Sequence, residues 1–485
     1  MRIKNILGML LLAAAVTGLY SCSDEDGKVV DNGLRTGNAT KLEILRDSVP
    51  VSDLSFSIGR GVAILGINAD GSWTAELDDT TWCKLEVHAG YGYTNKFSYT
   101  KLNVLKNEGE KRTATLTVRS GSLSKTLTIN QKGTGTDPND PFMSAFTLVE
   151  NLGIGYNLGN TLDSNPIGSW WNPEGKTPYD FETQWGQPET TQEIIDFIAE
   201  KGFNVIRVPV TWGIHCNSSD VISKAWMDRV EEVVQMVLNA GCYCILNVQH
   251  DSGDASNSWL RADMENYDAI SAKFKKIWNQ IAIRFRDYDD KLIFEAFNEI
   301  LSAQGEWGDP ADPSCYTAVN KLEQDFVDEV RATGGNNEYR NLIVNPYSAG
   351  NSAAKLAGMQ IPNDMHPNHI LASIHSYDPY WFCNDTNDLD SQQWYVYIFD
   401  STCQQEIDDI FTRVERRFSG ELGVPFIIGE FGAIGKHASM SERVKYAQYM
   451  RQKFTQYNTV GLWWMGLCDR EELEWTETDI VNVLF

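Results

Sequence analysis

The sequence predicts a closed (β/α)8 barrel preceded by a small all-β sandwich. Three observations carry this prediction. Across residues 133–141 the apolar residues change from strict alternation to an alternation of strands and helices. Beyond that point come eight nearly continuous apolar runs, as expected of parallel strands covered on both faces. Six of those runs end in charged or hydrogen-bonding residues, at the end where such barrels build their sites.

The chain has 485 residues, more than one ordinary core accommodates. Residues 1–21 form a targeting segment: Arg2 and Lys4 precede the apolar run Ile6–Leu19, then Tyr20 and Ser21. The run is too short to span a bilayer stably and reads as a secretory signal. Cys22 follows the break, and the surrounding residues resemble a bacterial lipoprotein box. Ser23-Asp24-Glu25-Asp26 resembles the acidic export tag of Bacteroidetes surface lipoproteins. A lipid on Cys22 and a place on the outer face of the outer membrane are therefore expected. Residues 22–41 are polar and read as a flexible tether.

Residues 42–132 show period-two runs broken by turns. Leu54–Ile58, Ala114–Val118 and Leu127–Ile129 are examples. The landmarks Trp73, Trp82, Asn107, Arg112 and Gln131 resemble the BACON domain, an immunoglobulin-like module. Both tryptophans read as core anchors on strands, which favours a spacer over a glycan-binding platform. Gly133–Pro141 is a linker by composition.

Residues 142–485 carry the barrel. Its strand runs are Gly153–Leu158, Val205–Val210, Cys242–Val248, Leu292–Phe297, Leu342–Asn345, Ile370–His375, Phe426–Gly429 and Gly461–Met465. Helical spacing lies between them, as in Ile194, Ile195, Phe197 and Ile198, or Val230, Val233, Val234, Val237 and Leu238. A doubly wound sheet would carry a Gly-rich phosphate turn, and none is present in the sequence.

Composition narrows the partners. The net charge of −25 repels nucleic acid and anionic membrane surfaces, so neither is a direct partner apart from the lipid anchor. Neutral substrates remain, and 15 Trp and 19 Tyr supply flat faces of the kind that sugar rings stack on. Eight cysteines follow Cys22 without zinc-ligand spacing, so no metal or cofactor is expected. Cys242 and Cys244 read as small core residues. A monomer is expected.

Two carboxylates stand at strand ends, Glu299 after the fourth run and Glu430 after the seventh. Glycoside cleavage needs such a pair, one protonated to donate to the leaving oxygen and one ionised to attack the anomeric carbon. Arg207, Gln249-His250-Asp251, Asn298, His375-Ser-Tyr377 and Trp463-Trp464 occupy the other strand ends. Glu295 is a rival carboxylate, but it lies deeper on its strand and reads as a buried structural acid.

The barrel region resembles glycoside hydrolase family 5, and most of all its subfamily 4. The resemblance rests on Gly155-Tyr-Asn-Leu-Gly-Asn-Thr-Leu-Asp163, Glu182-Thr-Gln-Trp-Gly186 and Gly202-Phe-Asn-Val-Ile-Arg-Val-Pro-Val-Thr-Trp212. Phe294-Glu-Ala-Phe-Asn-Glu299, Ile374-His-Ser-Tyr377 and Gly429-Glu-Phe-Gly432 complete it. It implies that Glu299 is the acid/base and Glu430 the nucleophile. It further implies that Asn298 binds the sugar 2-hydroxyl, that Arg207 and Tyr377 orient Glu430 and keep it ionised, and that His375 sits beside the acid/base or the leaving sugar. Trp464 would stack under the sugar before the cut. Trp185, Trp170, Trp171, Trp259, Trp307 and Trp381 are candidates to line the cleft. Three positions depart from the pattern. Gln249, beside His250, stands where the family has the first of two His; Ile300 stands where Pro is usual; Met465 replaces a frequent Asp. The expected activity is endo-acting hydrolysis of a β-1,4-glucan, with xyloglucan as the first choice of substrate. Mixed-linkage glucan, cellulose derivatives, mannan and xylan are the alternatives. A non-catalytic glycan-binding lipoprotein is the alternative from another class.

Overall fold

The computed structural model describes residues 34–35, 39–131 apart from 47–48, 57–60, 94–96, 108 and 110, then 133 and 141–485 apart from 167–172, 367 and 387–396. The targeting segment, Cys22 and most of the tether and linker lie outside the described residues, as do Trp170 and Trp171. No helix of the described residues is long and apolar enough to cross a membrane.

The N-terminal part is two five-stranded sheets packed face to face. One contains Leu42–Arg46, Gly61–Ala69 and Ser98–Val104; the other contains Trp73–Leu77, Arg112–Ser120 and Leu123–Gln131. Alternation sets which side chains enter the core: Ala114, Leu116 and Val118 point inward from one strand and meet Leu127 and Ile129 of the next. Trp73 is a strand residue in this core, whereas Trp82 is buried just before the strand Cys83–Leu85 and not on it. A local hydrogen bond to the Asp79 carboxylate (2.9 Å) holds its indole N–H there. Arg112 lies over that ring at 4.6 Å and donates to Gln131 Oε1 at 2.8 Å. Neither tryptophan forms an exposed platform.

The eight apolar runs all form strands of one closed parallel barrel. In chain order they are β1 (Gly155–Asn157), β2 (Val205–Val208), β3 (Tyr243–Asn247), β4 (Leu292–Glu295), β5 (Leu342–Val344), β6 (Ile370–Ser376), β7 (Phe426–Phe431) and β8 (Gly461–Trp464). A helix follows each strand: α1 (Gln192–Glu200), α2 (Lys224–Asn239), α3 (Tyr267–Arg284), α4 (Ser314–Ala332), α5 (Ala353–Gly358), α6 (Ser401–Glu415), α7 (Met440–Tyr457) and α8 (Thr478–Leu484). Side-chain caps start several of them. Thr191 accepts from Ile194 N at α1, and Asp400 accepts from two amides at α6, contacts worth about 1 kcal/mol each.

Period two inside the strands builds the barrel interior in layers. Val205, Ile245, Ile293, Ile343, Leu371, Ile427 and Leu462 form an apolar layer. The helix Ala145–Asn151 closes the barrel beneath it with Ala145, Leu148 and Val149. Two residues further along six of those strands the inward positions are Arg207, Asn247, Glu295, Asn345, Ser373 and Gly429. The interior thus changes from apolar to polar in one step toward the C-terminal face. All eight cysteines after Cys22 are unpaired, and Cys242 and Cys244 are buried.

Candidate active site

Glu299 and Glu430 meet at the C-terminal mouth of the barrel. Each presents a carboxylate oxygen within 4.8 Å of the other and of the His375 ring. Glu430 is buried at the end of β7, and Glu299 leaves β4 with about a fifth of its side chain exposed. Their surroundings differ in kind.

Glu430 is held on both oxygens. Arg207 Nη1 donates to Oε1 at 2.8 Å, and the Tyr377 hydroxyl donates to Oε2 at 2.8 Å. Burial pushes the Glu430 carboxyl up. The His375 imidazole at 3.6 Å, the Arg207 guanidinium and the Tyr377 hydroxyl outweigh that and hold it below the usual carboxylate range. Tyr377 itself is pushed well above the ordinary phenol range by burial and by the facing carboxylates, so it remains a donor.

Glu299 has one close protein partner in this cluster, His375 Nδ1 at 2.8 Å from Oε1. Burial lowers the His375 imidazole, but Glu430 and Glu299 together raise it above its ordinary value. Gly429 leaves room beside the ring. A Cβ there would lie 2.5 Å from Ser373 Oγ and 3.3 Å from the His375 ring. Glu299, His375 and Glu430 are the one group among the described residues spaced to hold a metal ion. Hydrogen bonds already occupy both oxygens of Glu430 and the nearer ring nitrogen.

Arg207 organises the floor. Nε donates to Glu295 Oε2 (2.6 Å), Nη1 also to Asn157 Oδ1 (2.9 Å), and Nη2 to Asn298 Oδ1 (2.9 Å). With its carbonyl taken, Asn298 has its NH2 group free for the cleft. Glu295 is fully buried and pairs with Arg207, as its depth on β4 predicts.

Gln249 is almost fully buried. Its Oε1 accepts from Asn247 Nδ2 at 2.6 Å, which turns its NH2 group away from Asn247. His250 lies beside it, 3.6 Å from Asp163 Oδ2, with Trp185 edge-on at 5.3 Å. Burial lowers the His250 imidazole, and the Asp163 carboxylate more than restores it. Asp251 is structural: it accepts from Trp212 N, Gly213 N and Trp259 Nε1. Trp464 is half-buried on β8 with its ring over Gly159, where a Cβ would come within 2.9 Å. Trp307 and Trp381 are 48% and 41% exposed, so they can offer a ring face, whereas Lys273 lies over the Trp259 ring at 4.3 Å.

Ile300, not proline, directly follows Glu299, and hydrogen bonds stiffen this segment instead. Ile300 O accepts from Ser348 N (3.0 Å), Leu301 O accepts from Ala262 N (2.8 Å), and Ser302 N donates to the Tyr347 hydroxyl (2.8 Å). Ser348 and Ala349 both have left-handed backbones (φ 51° and 47°), a strained pair for residues with side chains. The buried Lys355 ammonium braces them by donating to Ser348 Oγ (2.7 Å) and Trp307 O (2.8 Å). Sequence reasoning missed Lys355 and the buried ring Asn157, Asn247 and Asn345. The signal for the asparagines was present, since β1 and β3 end in Asn and Asn345 directly follows β5.

The profile of the cellulase family, glycosyl hydrolase family 5, matches residues 171–466. The chain belongs to glycosyl hydrolase family 5. The BACON profile, an N-terminal binding-domain family, matches residues 71–132 of this family 5 chain. An endoglucanase A of Clostridium longisporum is 33% identical over 70% of the chain, which spans 65% of that relative's length. A xyloglucan-specific endo-β-1,4-glucanase of Bacteroides ovatus is 30% identical over 95% of this chain and 91% of its own. Among solved structures, a family 5 enzyme of Prevotella bryantii in complex with a xyloglucan tetradecasaccharide superposes with a TM-score of 0.64. It is 37% identical and covers 71% of this chain and 98% of its own.

Proposed function

We propose that this family 5 chain is a retaining, endo-acting β-1,4-glucanase whose substrate is xyloglucan. The observation that carries the mechanism is the carboxylate pair, oxygens within 4.8 Å in two unlike environments. Retaining enzymes place the two carboxyl groups ~5–5.5 Å apart, and inverting ones leave a wider gap for water. Glu430, held ionised by Arg207 and Tyr377, is the nucleophile. Its oxygen bonds the anomeric carbon as the glycosidic C–O bond breaks, and Glu299 gives its proton to the leaving oxygen. Glu299 then takes a proton from water, whose oxygen displaces Glu430. The free NH2 group of Asn298 donates to the sugar 2-hydroxyl, a contact that strengthens as positive charge develops on the ring. Trp464 stacks beneath the sugar on the non-reducing side.

Support for xyloglucan comes from the Bacteroides relative, which spans both folded regions of this chain, and from the Prevotella complex. Other similar structures are a broad-specificity endoglucanase and a lichenase, which favour mixed-linkage glucan as the second reading. Reducing-end assays on xyloglucan, barley β-glucan, carboxymethylcellulose, mannan and xylan decide between them. The expected result is the highest kcat/KM on xyloglucan; a higher value on barley β-glucan establishes the second reading. Binding without cleavage of any polymer would leave a glycan-binding protein.

The same reading places the enzyme as a monomer on the cell surface, tethered by lipid on Cys22. It rests on the basic, apolar and cysteine-ended order of residues 1–22. Cys22→Ala is expected to release the protein from the membrane fraction, and unchanged membrane association refutes the anchor.

A further inference from the structure

Arg207 is shared between two carboxylates, and only one of them faces the substrate. Nη1 holds Glu430, and Nε holds Glu295 on the opposite side of the guanidinium. Glu295 is shielded completely from solvent. Its Oε2 also accepts from Asn247 Nδ2 at 3.0 Å, and its Oε1 accepts from Asn345 Nδ2 at 3.3 Å. Neutral asparagine amides therefore fix it from β3 and from the residue following β5. Such a carboxylate cannot leave Arg207 without losing every partner. We propose that Glu295 is a positioning residue for the nucleophile: through Arg207 it sets the charge and the angle that Glu430 presents to the sugar. The proposal rests on the reading of Glu430 as nucleophile.

The physical argument is charge sharing. An unshared guanidinium against Glu430 would stabilise its anion strongly and make it a poor nucleophile. Glu295 takes part of that charge while holding the guanidinium plane in register with Glu430, Asn298 and Asn157. Other groups facing Glu430 are His375 and Tyr377 from β6 and its following loop, Glu299 after β4, and His250 after β3. Behind Glu295 the next acid is Glu323 of α4, whose Oε1 accepts from Asn345 N at 2.5 Å. Burial drives the Glu323 carboxyl well above the carboxylate range. Glu295, 2.6 Å from Nε, is the carboxylate paired with Arg207 from below.

The test is the pH dependence of kcat/KM, whose acidic limb follows ionisation of the nucleophile in the free enzyme. Glu295→Gln removes the balancing charge and should lower the Glu430 pKa. The acidic limb is expected to move down by about one pH unit, a tenfold rise in the acid dissociation constant. At the optimum kcat is expected to fall about tenfold with KM nearly unchanged. Tyr377→Phe works in the opposite sense: it deletes a hydrogen bond that favours the anion, so the limb should move up. Glu295→Asp keeps the charge but draws it back by one methylene, and its limb should fall between wild type and Glu295→Gln. If Glu295→Gln does not fold, Glu295→Asp carries the test alone. A wild-type limb in whichever variant folds, with lost activity matched by lost folded protein, overturns the proposal. Full activity in Glu430→Ala would instead overturn the nucleophile reading beneath it.

Discussion

Glu430→Ala is expected to lower kcat/KM on xyloglucan by at least about 10^4-fold, some 5.5 kcal/mol of transition-state stabilisation. The loss is large because the covalent step disappears, and Arg207, Tyr377 and His375 then surround an empty position. The fold should survive. Removing one member of a buried ion pair usually costs about 3–5 kcal/mol, because the remaining charge is stranded. Here Arg207 stays paired with Glu295 at 2.6 Å and bonded to Asn157 and Asn298. A normal circular dichroism spectrum and a modest fall in Tm should accompany the loss. Added azide should restore turnover of an aryl cellobioside by direct attack on the face that Glu430 occupied. The product should be the α-glycosyl azide, because one displacement inverts the anomeric centre. Activity retained without azide, or a β-configured product, would remove Glu430 from the nucleophile's role.

The barrel was legible because parallel strands buried on both faces have to be written as apolar runs. All eight runs form strands, but most extend past the last ladder pair. In Val205–Val210, for instance, the ladder stops at Val208, and Val210 N turns to the side chain of Asn247. Apolar character follows burial, and burial continues beyond the hydrogen-bonded ladder. Trp82 was misplaced for a related reason. Its bulk and burial read as strand, yet a local bond to Asp79 holds it in the preceding turn. The carboxylate pair was legible because both residues sit at strand ends, which the fold brings to one face. The polar floor was not. A lone Asn at a strand end reads equally well as a turn residue, and only register shows Asn247 and Asn345 converging on Glu295. The loop tryptophans resisted for a different reason. Trp259 and Trp307 lie in comparable loops and each donates to an aspartate, yet Lys273 sits over the ring of the first at 4.3 Å while the second stands half exposed.

Glu299→Ala should behave differently from Glu430→Ala, and the difference separates the two roles. On xyloglucan the leaving group is a sugar alkoxide, which needs a proton as the bond breaks. Loss of a general acid costs about 10^2–10^4-fold, and the high pKa of this leaving group places the effect near the top of that range. A dinitrophenyl cellobioside leaves without a proton, so formation of the glycosyl-enzyme should stay close to the wild-type rate. Hydrolysis of that intermediate still needs Glu299 as base. A burst of dinitrophenolate followed by slow turnover is therefore expected. Azide needs no base and should accelerate the slow phase, and two successive displacements give a β-glycosyl azide. The geometry makes the separation clean. Glu299 has His375 as its close partner in the site, whereas Arg207 and Tyr377 grip Glu430 independently of it. Deleting Glu299 should thus leave the nucleophile in place. Equal losses on xyloglucan and on the aryl glycoside, with no burst, would mean that Glu299 supports the site without transferring the proton.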